Sequence, residues 1–517
     1  MDRALRENAL ITGILILAAF ARLFLLGDYL PGCSADEASI AYDAYSILHT
    51  GKDRYGAPLP IYAQGFNTWG ANLHCYLVVP AIALFGLNEF AARFPAAFLG
   101  ILTVWLTYLV VKRRLDPSAA LWAALLLAVA PWHIHLSRNC TEISLEPFFL
   151  MLALYLFFLG IERKSLFLPF SAASFGLAFY TYYPSRIFVP LAAIGVLLIY
   201  RTELSQRKGA LLVAIAVASI ILLPTIVFAI REPQYFFLRY HQIALKTGGR
   251  STAGALLLFF KNYFAHLSPV FLFLKGDANV RNAPQGFGQL YLFELPLVVT
   301  GIIACIRRWK NPDARFLIFW LLTYPIPASL TTEGIPHATR TVTAIPLYQI
   351  LSAIGIYCVR GWSKKLVGTK RRLGYAGLRI FLVLAIANVC IFSHHYFLRW
   401  RIYSARSLDY GWRKAMEYAI AEEGKYDRIV LTVLSIGPPT MFPPFYLHYD
   451  PAEYQRSKLE KSKYQFVTPE VMRGLFYTLK GRTLYVVREE ELRGVAPRKI
   501  IYFPDGGVAF KVIENVN

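Results

Sequence analysis

Cysteine and acidic residues are both scarce in this chain of 517 residues, and each shortage narrows the function classes. The six cysteines include no C-x-x-C pair, so neither a zinc motif nor a redox motif is predicted. Cys33, Cys75 and Cys140 fall on one predicted side of the membrane, which leaves a disulfide among them open. The sequence shows no internal repeat and no low-complexity segment.

Charge is also low, at 17% of residues against 56% hydrophobic residues, which excludes an ordinary soluble protein. Repeated apolar runs of roughly 18 residues or more predict a polytopic helical membrane protein. The net charge of +22 would suggest a nucleic-acid partner in a soluble protein. Here the basic residues lie mostly in short loops between apolar runs. Orientation in the membrane therefore explains them better than nucleic-acid binding does.

The apolar runs predict about eleven transmembrane helices. The first run, 9–26, lacks a small-residue cleavage site after it, so we expect a retained helix rather than a signal peptide. The other ten lie near 91–111, 119–135, 144–160, 166–183, 187–200, 210–230, 290–306, 316–330, 341–359 and 376–396.

Alternate loops carry most of the lysine and arginine, which predicts a cytoplasmic N-terminus and an extracytoplasmic C-terminus in the plasma or inner membrane. Two outer loops are long, 27–90 and 231–289. Each contains an apolar piece, 75–85 and 253–274, that we expect to lie on the outer face as a juxtamembrane helix.

The chain changes character after residue 396, where charge rises and short β-like runs appear. Strands are predicted near 428–435, 483–488 and 499–502, with helices near 410–423 and 468–479. We therefore predict two domains, a transmembrane module over 1–396 and a small extracytoplasmic α/β domain over 397–517.

A short acidic segment, 31–38, follows the first apolar run directly. Ser34 and Glu37 have the spacing of a capping box, so a helix over 38–49 is predicted. Asp36 then falls in the first turn, where the helix dipole favours an ionised carboxylate. Taken alone, the segment is a helix start; a catalytic interpretation depends on other polar groups predicted for the same face.

Polar side chains recur at the predicted outer ends of the spans, where lone ionisable groups usually reach for the interface. Together with the acidic segment they would line a cavity suited to a lipid phosphate, because arginine grips phosphate with paired N–H donors. A carboxylate could take the proton of an attacking hydroxyl. The aromatic Tyr182 and Tyr183 line the cavity or form a membrane belt. The other groups on this face are Arg138, Glu142, Arg186, His337 and Arg340.

Several motifs together resemble the polytopic glycosyltransferases of the C type, in the branch of protein O-mannosyltransferases and lipid A aminoarabinose transferases. They are the acidic segment 31–38, Gly51-Lys52-Asp53-Arg54-Tyr55-Gly56, the stretch 84–97, Leu136-Ser137-Arg138, Gly276-Asp277-Ala278-Asn279 and Pro336-His337-Ala338-Thr339-Arg340. Many relatives carry a basic K-P-P-L-like motif where this chain has Gly70-Ala71-Asn72-Leu73, so other cations must hold the phosphate.

The resemblance implies an inverting hexosyl- or pentosyltransferase that moves a sugar from a polyprenyl-phosphate donor to an acceptor hydroxyl in the cell envelope. It maps the catalytic acid onto Asp36, with Glu37 beside it and Glu142 as a second acidic position. Arg138, Arg186, His337 and Arg340 would hold the donor phosphate. No metal ligand is predicted, although a divalent metal is left open. The alternatives are a transporter or flippase of a lipid-linked sugar, disfavoured by the lack of inverted repeats, and a non-catalytic envelope assembly protein.

Overall fold

A computed structural model describes residues 3–28, 32–66, 69–245, 249–365, 367–433, 438–460, 462–492 and 494–516. Pro31 of the acidic segment and residues 434–435 of a predicted strand lie outside the described residues. The α-helices are α1 (Arg3–Leu23), α2 (Ala35–Thr50), α3 (Leu73–Phe85), α4 (Glu89–Arg114), α5 (Pro117–Val129), α6 (Pro131–Leu136), α7 (Glu146–Glu162), α8 (Phe167–Phe179), α9 (Ser185–Ile199), α10 (Arg201–Ser205), α11 (Lys208–Arg231), α12 (Pro233–Phe236), α13 (Leu238–Ile243), α14 (Thr252–Leu267), α15 (Glu294–Arg307), α16 (Pro312–Thr323), α17 (Ile326–Ser329), α18 (Leu347–Ser363), α19 (Gly368–His394), α20 (Arg401–Ser404), α21 (Trp412–Glu422), α22 (Phe442–Tyr446), α23 (Pro451–Ser457) and α24 (Pro469–Thr478). The strands are β1 (Tyr62–Gln64), β2 (Trp69–Ala71), β3 (Arg428–Thr432), β4 (Tyr464–Val467), β5 (Arg482–Val487), β6 (Lys499–Tyr502) and β7 (Val508–Val516).

The chain divides into two compact units. Unit 1 consists of Met1–Phe24, Thr68–Leu73 and Ala96–His394. Unit 2 consists of Leu25–Asn67, His74–Pro95 and His395–Asn517. Unit 2 therefore combines most of the first predicted outer loop with the segment predicted as a C-terminal domain.

Unit 1 is a bundle of helices formed by the apolar runs of the sequence. Within the described residues, five helical segments are long and apolar enough to cross a membrane: Ala4–Leu23, Glu89–Arg114, Glu142–Glu162, Lys208–Arg231 and Arg372–Ser407. Other apolar helices of the bundle, such as α5, α8 and α9, are shorter. The helical membrane architecture is as predicted, whereas the number of eleven spans stays a prediction.

Proline divides two of the predicted spans. The run 119–135 is a helix to Val129, followed by the short α6, which begins at Pro131. The run 316–330 ends its first helix at Thr323, and α17 follows Pro325. Proline supplies no N–H to the helix before it, so each break falls where the sequence places the ring.

Helices α15 and α18 pack at close range through two glycines. A Cβ on Gly301 would overlap the backbone oxygen of Leu351, and a Cβ on Gly355 would overlap that of Leu297. Small residues let helix backbones approach in an apolar bundle, where packing rather than the hydrophobic effect drives association. These two glycines therefore set the separation of the two helices.

Unit 2 contains a five-stranded sheet in the order β4-β3-β5-β7-β6. Strand β3 is parallel to β4 and β5, whereas β7 is antiparallel to β5 and β6. The predicted α/β character of the C-terminal segment is confirmed. Strands β4 and β7 were not predicted.

Candidate active site

The acidic segment starts helix α2 through the predicted capping box. The side chain of Ser34 accepts a hydrogen bond from the backbone N–H of Glu37, and the Glu37 carboxylate accepts one from the backbone N–H of Ser34. The helix begins at Ala35, three residues before the predicted start. Asp36 and Glu37 both lie in its first turn, but only Asp36 is exposed.

Glu37 is buried in a two-point ion pair with Arg93. Arg93 Nε lies 2.8 Å from Oε1, and Arg93 Nη2 lies 2.8 Å from Oε2. The same guanidinium donates to the backbone oxygens of Leu26 and Gly32, at 3.2 and 2.6 Å. The ion pair thus holds the loop before α2 as well as the first turn of the helix. Of the two carboxylates in this turn, Asp36 is the more accessible.

Helix α2 rests on the C-terminal part of unit 2. The amide of Gln455 donates to Ser46 Oγ, Thr50 Oγ1 and the backbone oxygen of Asp53, at 3.0, 2.9 and 2.9 Å. Tyr42 adds a hydrogen bond from its hydroxyl to the backbone oxygen of Tyr449 at 3.0 Å. The helix that carries Asp36 therefore depends on residues about 400 positions away for its packing.

Unit 1 contains a cavity of about 370 Å3 that combines apolar walls with three arginines. We call it the three-arginine cavity, after Arg186, Arg239 and Arg340. Its other lining residues are mostly aromatic and aliphatic and include both predicted tyrosines, Tyr182 and Tyr183. The cavity thus suits a ligand with an anionic group on an apolar body.

Two of these arginines share one carboxylate. Glu333 Oε2 accepts from Arg239 Nη2 at 2.7 Å and from Arg340 Nη2 at 2.9 Å. Arg340 is nearly buried and donates further to Thr331 Oγ1 and the backbone oxygen of Glu333, both at 2.7 Å. The place between the two guanidinium groups is therefore an anion position.

The third arginine, Arg186, lies among aromatic rings. Its guanidinium carbon is 4.6 Å from the centroid of the Tyr183 ring and 4.7 Å from that of Phe236. Arg186 also lines a smaller neighbouring cavity together with Glu142, Tyr182 and Tyr183. Gly70 and Ala71 line the same small cavity.

The Asp277 and His337 motifs meet in unit 1. Asp277 Oδ2 accepts from the backbone N–H of Ala338 at 2.7 Å and from Asn282 Nδ2 at 2.9 Å. Trp132 Nε1 donates to the backbone oxygen of Ala338 at 3.1 Å, so α6 joins the same cluster. These bonds hold the backbone that leads into Arg340.

Two histidines of this cluster are neutral near pH 7. His266 Nε2 accepts from the backbone N–H of His337 at 3.0 Å, and His266 Nδ1 lies 2.7 Å from the backbone oxygen of Asn262, to which it donates. Burial lowers the pKa of His266 to about 4. Burial, followed by the charge of Arg340, lowers the pKa of His337 to about 3. The 3.7 Å contact of His337 with Asp277 is therefore not an ion pair at neutral pH.

Arg138 binds a different part of unit 1, the end of α1. It is fully buried and donates to the backbone oxygens of Ala21, Arg22 and Phe24 at 3.1, 3.1 and 2.9 Å. A cation at the C-terminal carbonyls of a helix complements the helix dipole. The structure thus brings Arg186, Arg340, Tyr182 and Tyr183 together at one cavity and places Arg138 at the end of α1.

Neither Arg239 nor Glu333 is among the site residues predicted from the sequence. Arg239 lies on α13 within the long loop 231–289, and a cation among the aromatic residues of 235–240 was the available signal. Glu333 stands three residues before Pro336 of a family motif, yet its pairing with Arg239 spans 94 positions. Such a distant pairing cannot be predicted from local sequence.

The described residues contain no group of three His, Cys, Asp or Glu side chains arranged to hold a metal ion. The six cysteines all lie within them, and none forms a disulfide there.

The chain resembles known glycosyltransferases in both sequence and fold. Residues 72–228 match the family model described as dolichyl-phosphate-mannose-protein mannosyltransferase. No curated protein sequence matches the chain.

Solved structures share its fold. ArnT from Cupriavidus metallidurans in the apo state superposes with a TM-score of 0.59 at 15% identity, over 100% of this chain and 99% of that one. The same protein bound to undecaprenyl phosphate gives 0.57 at 14%, over 100% and 99%. The oligosaccharyltransferase AglB from Archaeoglobus fulgidus, in complex with an inhibitory peptide and a dolichol-phosphate, gives 0.54 at 12%, over 93% of this chain and 69% of that one. The resemblance to polytopic membrane glycosyltransferases of the mannosyltransferase and aminoarabinose transferase branch is thereby confirmed.

Proposed function

We propose that this integral membrane protein is an inverting glycosyltransferase that moves a sugar from a polyprenyl-phosphate donor to an acceptor hydroxyl. The observation that carries the proposal is the three-arginine cavity, which joins apolar walls to an anion position. A polyprenyl-phosphate sugar has the same two parts, an apolar chain and a phosphate. The undecaprenyl phosphate and dolichol-phosphate bound by structures of the same fold support this choice of donor.

The donor phosphate is assigned to Arg340, Arg239 and Arg186. Arg340 and Arg239 already converge on one oxygen, as two guanidinium groups would on a phosphate. Arg186 lies beside Gly70 and Ala71 and supplies a cation next to the place where relatives carry their basic motif. His337 is neutral near pH 7, so its contribution is a hydrogen bond rather than a charge.

Asp36 is the proposed general base. It is exposed at the positive end of α2, whereas Glu37 is committed to Arg93. The acceptor hydroxyl attacks C1 of the sugar from the face opposite the phosphate, and its proton passes to the carboxylate. The bond between C1 and the phosphate oxygen breaks as the new C1–O bond forms. Polyprenyl phosphate leaves with the bonding electrons, and fixed arginine charges stabilise it.

Glu142 is the competing candidate for the base. It lines the small cavity together with Arg186 and Tyr182, so it belongs to the same unit as the arginines. Matched variants Asp36→Asn and Glu142→Gln separate the two assignments, because only the true base should lose turnover while keeping donor affinity.

The proposed reaction takes place on the outer face of the membrane, with the N-terminus cytoplasmic and residues 397–517 outside. The charge distribution of the loops supports this orientation. Residues 397–517 are proposed as the domain that receives the acceptor.

Mass spectrometry of envelope lipids, glycans and glycoproteins after deletion of the gene would identify the product. The expected result is one missing sugar modification and an accumulated polyprenyl-phosphate sugar. Purified protein should then transfer that sugar to the acceptor and release polyprenyl phosphate. A deletion strain with an unchanged profile, together with purified protein that moves the intact lipid-linked sugar across vesicles, would favour the flippase alternative.

A further inference from the structure

Glu333 occupies the anion position that the proposed function assigns to the donor phosphate. Its Oε2 is 2.7 Å from Arg239 Nη2 and 2.9 Å from Arg340 Nη2. A phosphate oxygen bound by the same two donors would need the space of that carboxylate oxygen. Either the carboxylate or the phosphate can be there, not both.

The two sides of this contact differ in how firmly they are held. The Glu333 side chain is 55% exposed, whereas that of Arg340 is 5% exposed. Arg340 Nη1 remains bonded to Thr331 Oγ1 and the backbone oxygen of Glu333 when the carboxylate moves. Solvent screens an ion pair whose carboxylate is largely exposed, so the carboxylate gives way at small cost when a phosphate takes its place beside the buried arginine.

The backbone around Glu333 is anchored independently of its carboxylate. Thr332 donates its N–H to the backbone oxygen of Ile243 at 2.9 Å, and Leu245 donates to the backbone oxygen of Leu330 at 3.2 Å. The side chain of Glu333 can therefore swing away while the loop and the arginines keep their positions.

We propose that Glu333 is an internal competitor for the lipid phosphate: its carboxylate holds the place between Arg239 and Arg340 in the empty cavity, yields to the donor phosphate, and returns to help expel the product. This inference rests on the proposed function. It adds a residue that controls donor capture and product release at the same site.

The charge change of the reaction explains why a competitor is useful. The donor is a phosphodiester with one negative charge, and the released polyprenyl phosphate is a monoester with a charge of about −1.5 to −2 near pH 7. Two arginines alone would hold the product more tightly than the donor. A carboxylate tethered beside them lowers the affinity for both and shortens the time for which the product stays bound.

The test is a titration of the purified protein in detergent with farnesyl phosphate, a short polyprenyl monoester, by calorimetry. Glu333→Gln keeps the side-chain shape and an acceptor oxygen but removes the charge, so the fold should be preserved. We expect its affinity for farnesyl phosphate to rise roughly three- to tenfold, the scale of ion pairs whose carboxylate is exposed to solvent. We also expect its affinity to fall more steeply with salt than that of the wild type, because no internal anion is exchanged.

Glu232→Gln is the matched control. It removes the same charge from a carboxylate that is hydrogen-bonded by Gln234 at 2.8 Å rather than by an arginine. It should bind farnesyl phosphate like the wild type. An equal gain in both variants would overturn the proposal, since a general charge effect would explain it; unchanged or weaker binding by Glu333→Gln would overturn it as well.

Two further arms separate this inference from the proposed function. Arg340→Gln should weaken farnesyl phosphate binding, and Glu333→Gln should give no gain in that background. Unweakened binding by Arg340→Gln would refute the phosphate site itself. Weakened binding by Arg340→Gln, together with no gain from Glu333→Gln in the otherwise wild-type protein, would refute only the competitor. Inorganic phosphate should bind at least roughly a hundredfold more weakly than farnesyl phosphate, because the apolar walls recognise the chain; equal affinities would refute a lipid ligand.

Discussion

Arg93 holds Glu37 by two parallel hydrogen bonds of 2.8 Å, and both side chains are almost completely buried. A bidentate pair of this kind fixes direction as well as distance. It explains why two adjacent carboxylates, Asp36 and Glu37, are expected to behave differently on substitution.

Glu37→Gln should lower the free energy of unfolding by about 3–5 kcal/mol, because it leaves the buried guanidinium of Arg93 without a counter-charge. A capping role alone predicts a mild effect, since glutamine can close a capping box. Thermal unfolding in detergent distinguishes the two. A transition temperature within a degree of the wild type would show that the ion pair contributes little.

Asp36→Asn should leave stability within about 1 kcal/mol, because the residue is exposed and asparagine is tolerated near a helix start. Turnover should fall roughly a hundredfold or more, because an amide cannot accept the acceptor's proton. Sugar transfer by folded, purified variants provides the measurement. Transfer at the wild-type rate would move the search for the base to Glu142.

Arg186→Gln and Arg340→Gln should each weaken donor binding by about 1–3 kcal/mol, the scale of a charge-assisted hydrogen bond. Arg138→Gln is the comparison, because its hydrogen bonds go to α1 rather than to the cavity. It should reduce thermal stability and leave the donor affinity of the folded fraction unchanged. Donor binding that depends on Arg138 and not on Arg340 would contradict this assignment.

Acid should destabilise unit 1 through His266. Its folded pKa of about 4 lies below the unfolded value near 6.5, so the neutral form is favoured by the fold. The stability is therefore complete above pH 6.5 and is lost as the pH falls towards 4, by about 3 kcal/mol for this group. Unfolding temperatures of the wild type and His266→Gln between pH 7 and 4 should converge on acidification. Parallel curves would exclude His266 as the source.

Gly355→Ala should destabilise the bundle by about 1–3 kcal/mol, because the added methyl group meets the backbone of α15. Gly361→Ala on the same helix is the control, since a Cβ there meets no atom within 4 Å of the described structure. That variant should be neutral or slightly stabilised by helix propensity. Equal effects of the two substitutions would mean that α15 and α18 have room to separate.

A fluorescent reporter that matures only in the cytoplasm should be dark when fused after Asn517 and bright when fused after Lys365. The distribution of basic residues between alternate loops gives this orientation. Fluorescence of the C-terminal fusion would reverse the proposed topology.

Local patterns in the sequence predicted local structure. The capping box of Ser34 and Glu37 spans three positions, and long apolar runs located most helices of the bundle. The strand β4 was missed because four residues, Tyr464–Val467, carry too little alternation to separate a strand from a loop.

Contacts between residues far apart in the sequence are the part of the site that could not be predicted. Glu37 and Arg93 are 56 positions apart, and Arg239 and Glu333 are 94 apart. Loop position alone also could not decide whether an arginine faces a cavity or the end of a neighbouring helix. Arg340 lines the cavity, whereas Arg138 binds the carbonyls of α1.

The hydrogen bonds from Gln455 to α2 also determine how early unit 2 can assemble during synthesis of the chain. Ser46 and Gln455 are separated by 409 positions, which a ribosome covers in roughly 20–80 s at about 5–20 residues per second. Throughout that interval Ser46 and Thr50 lack the hydrogen bonds that the Gln455 amide donates to them. The acidic helix therefore gains this support only after Gln455 has been made, and a copy that stops before Gln455 carries Asp36 on a helix without it.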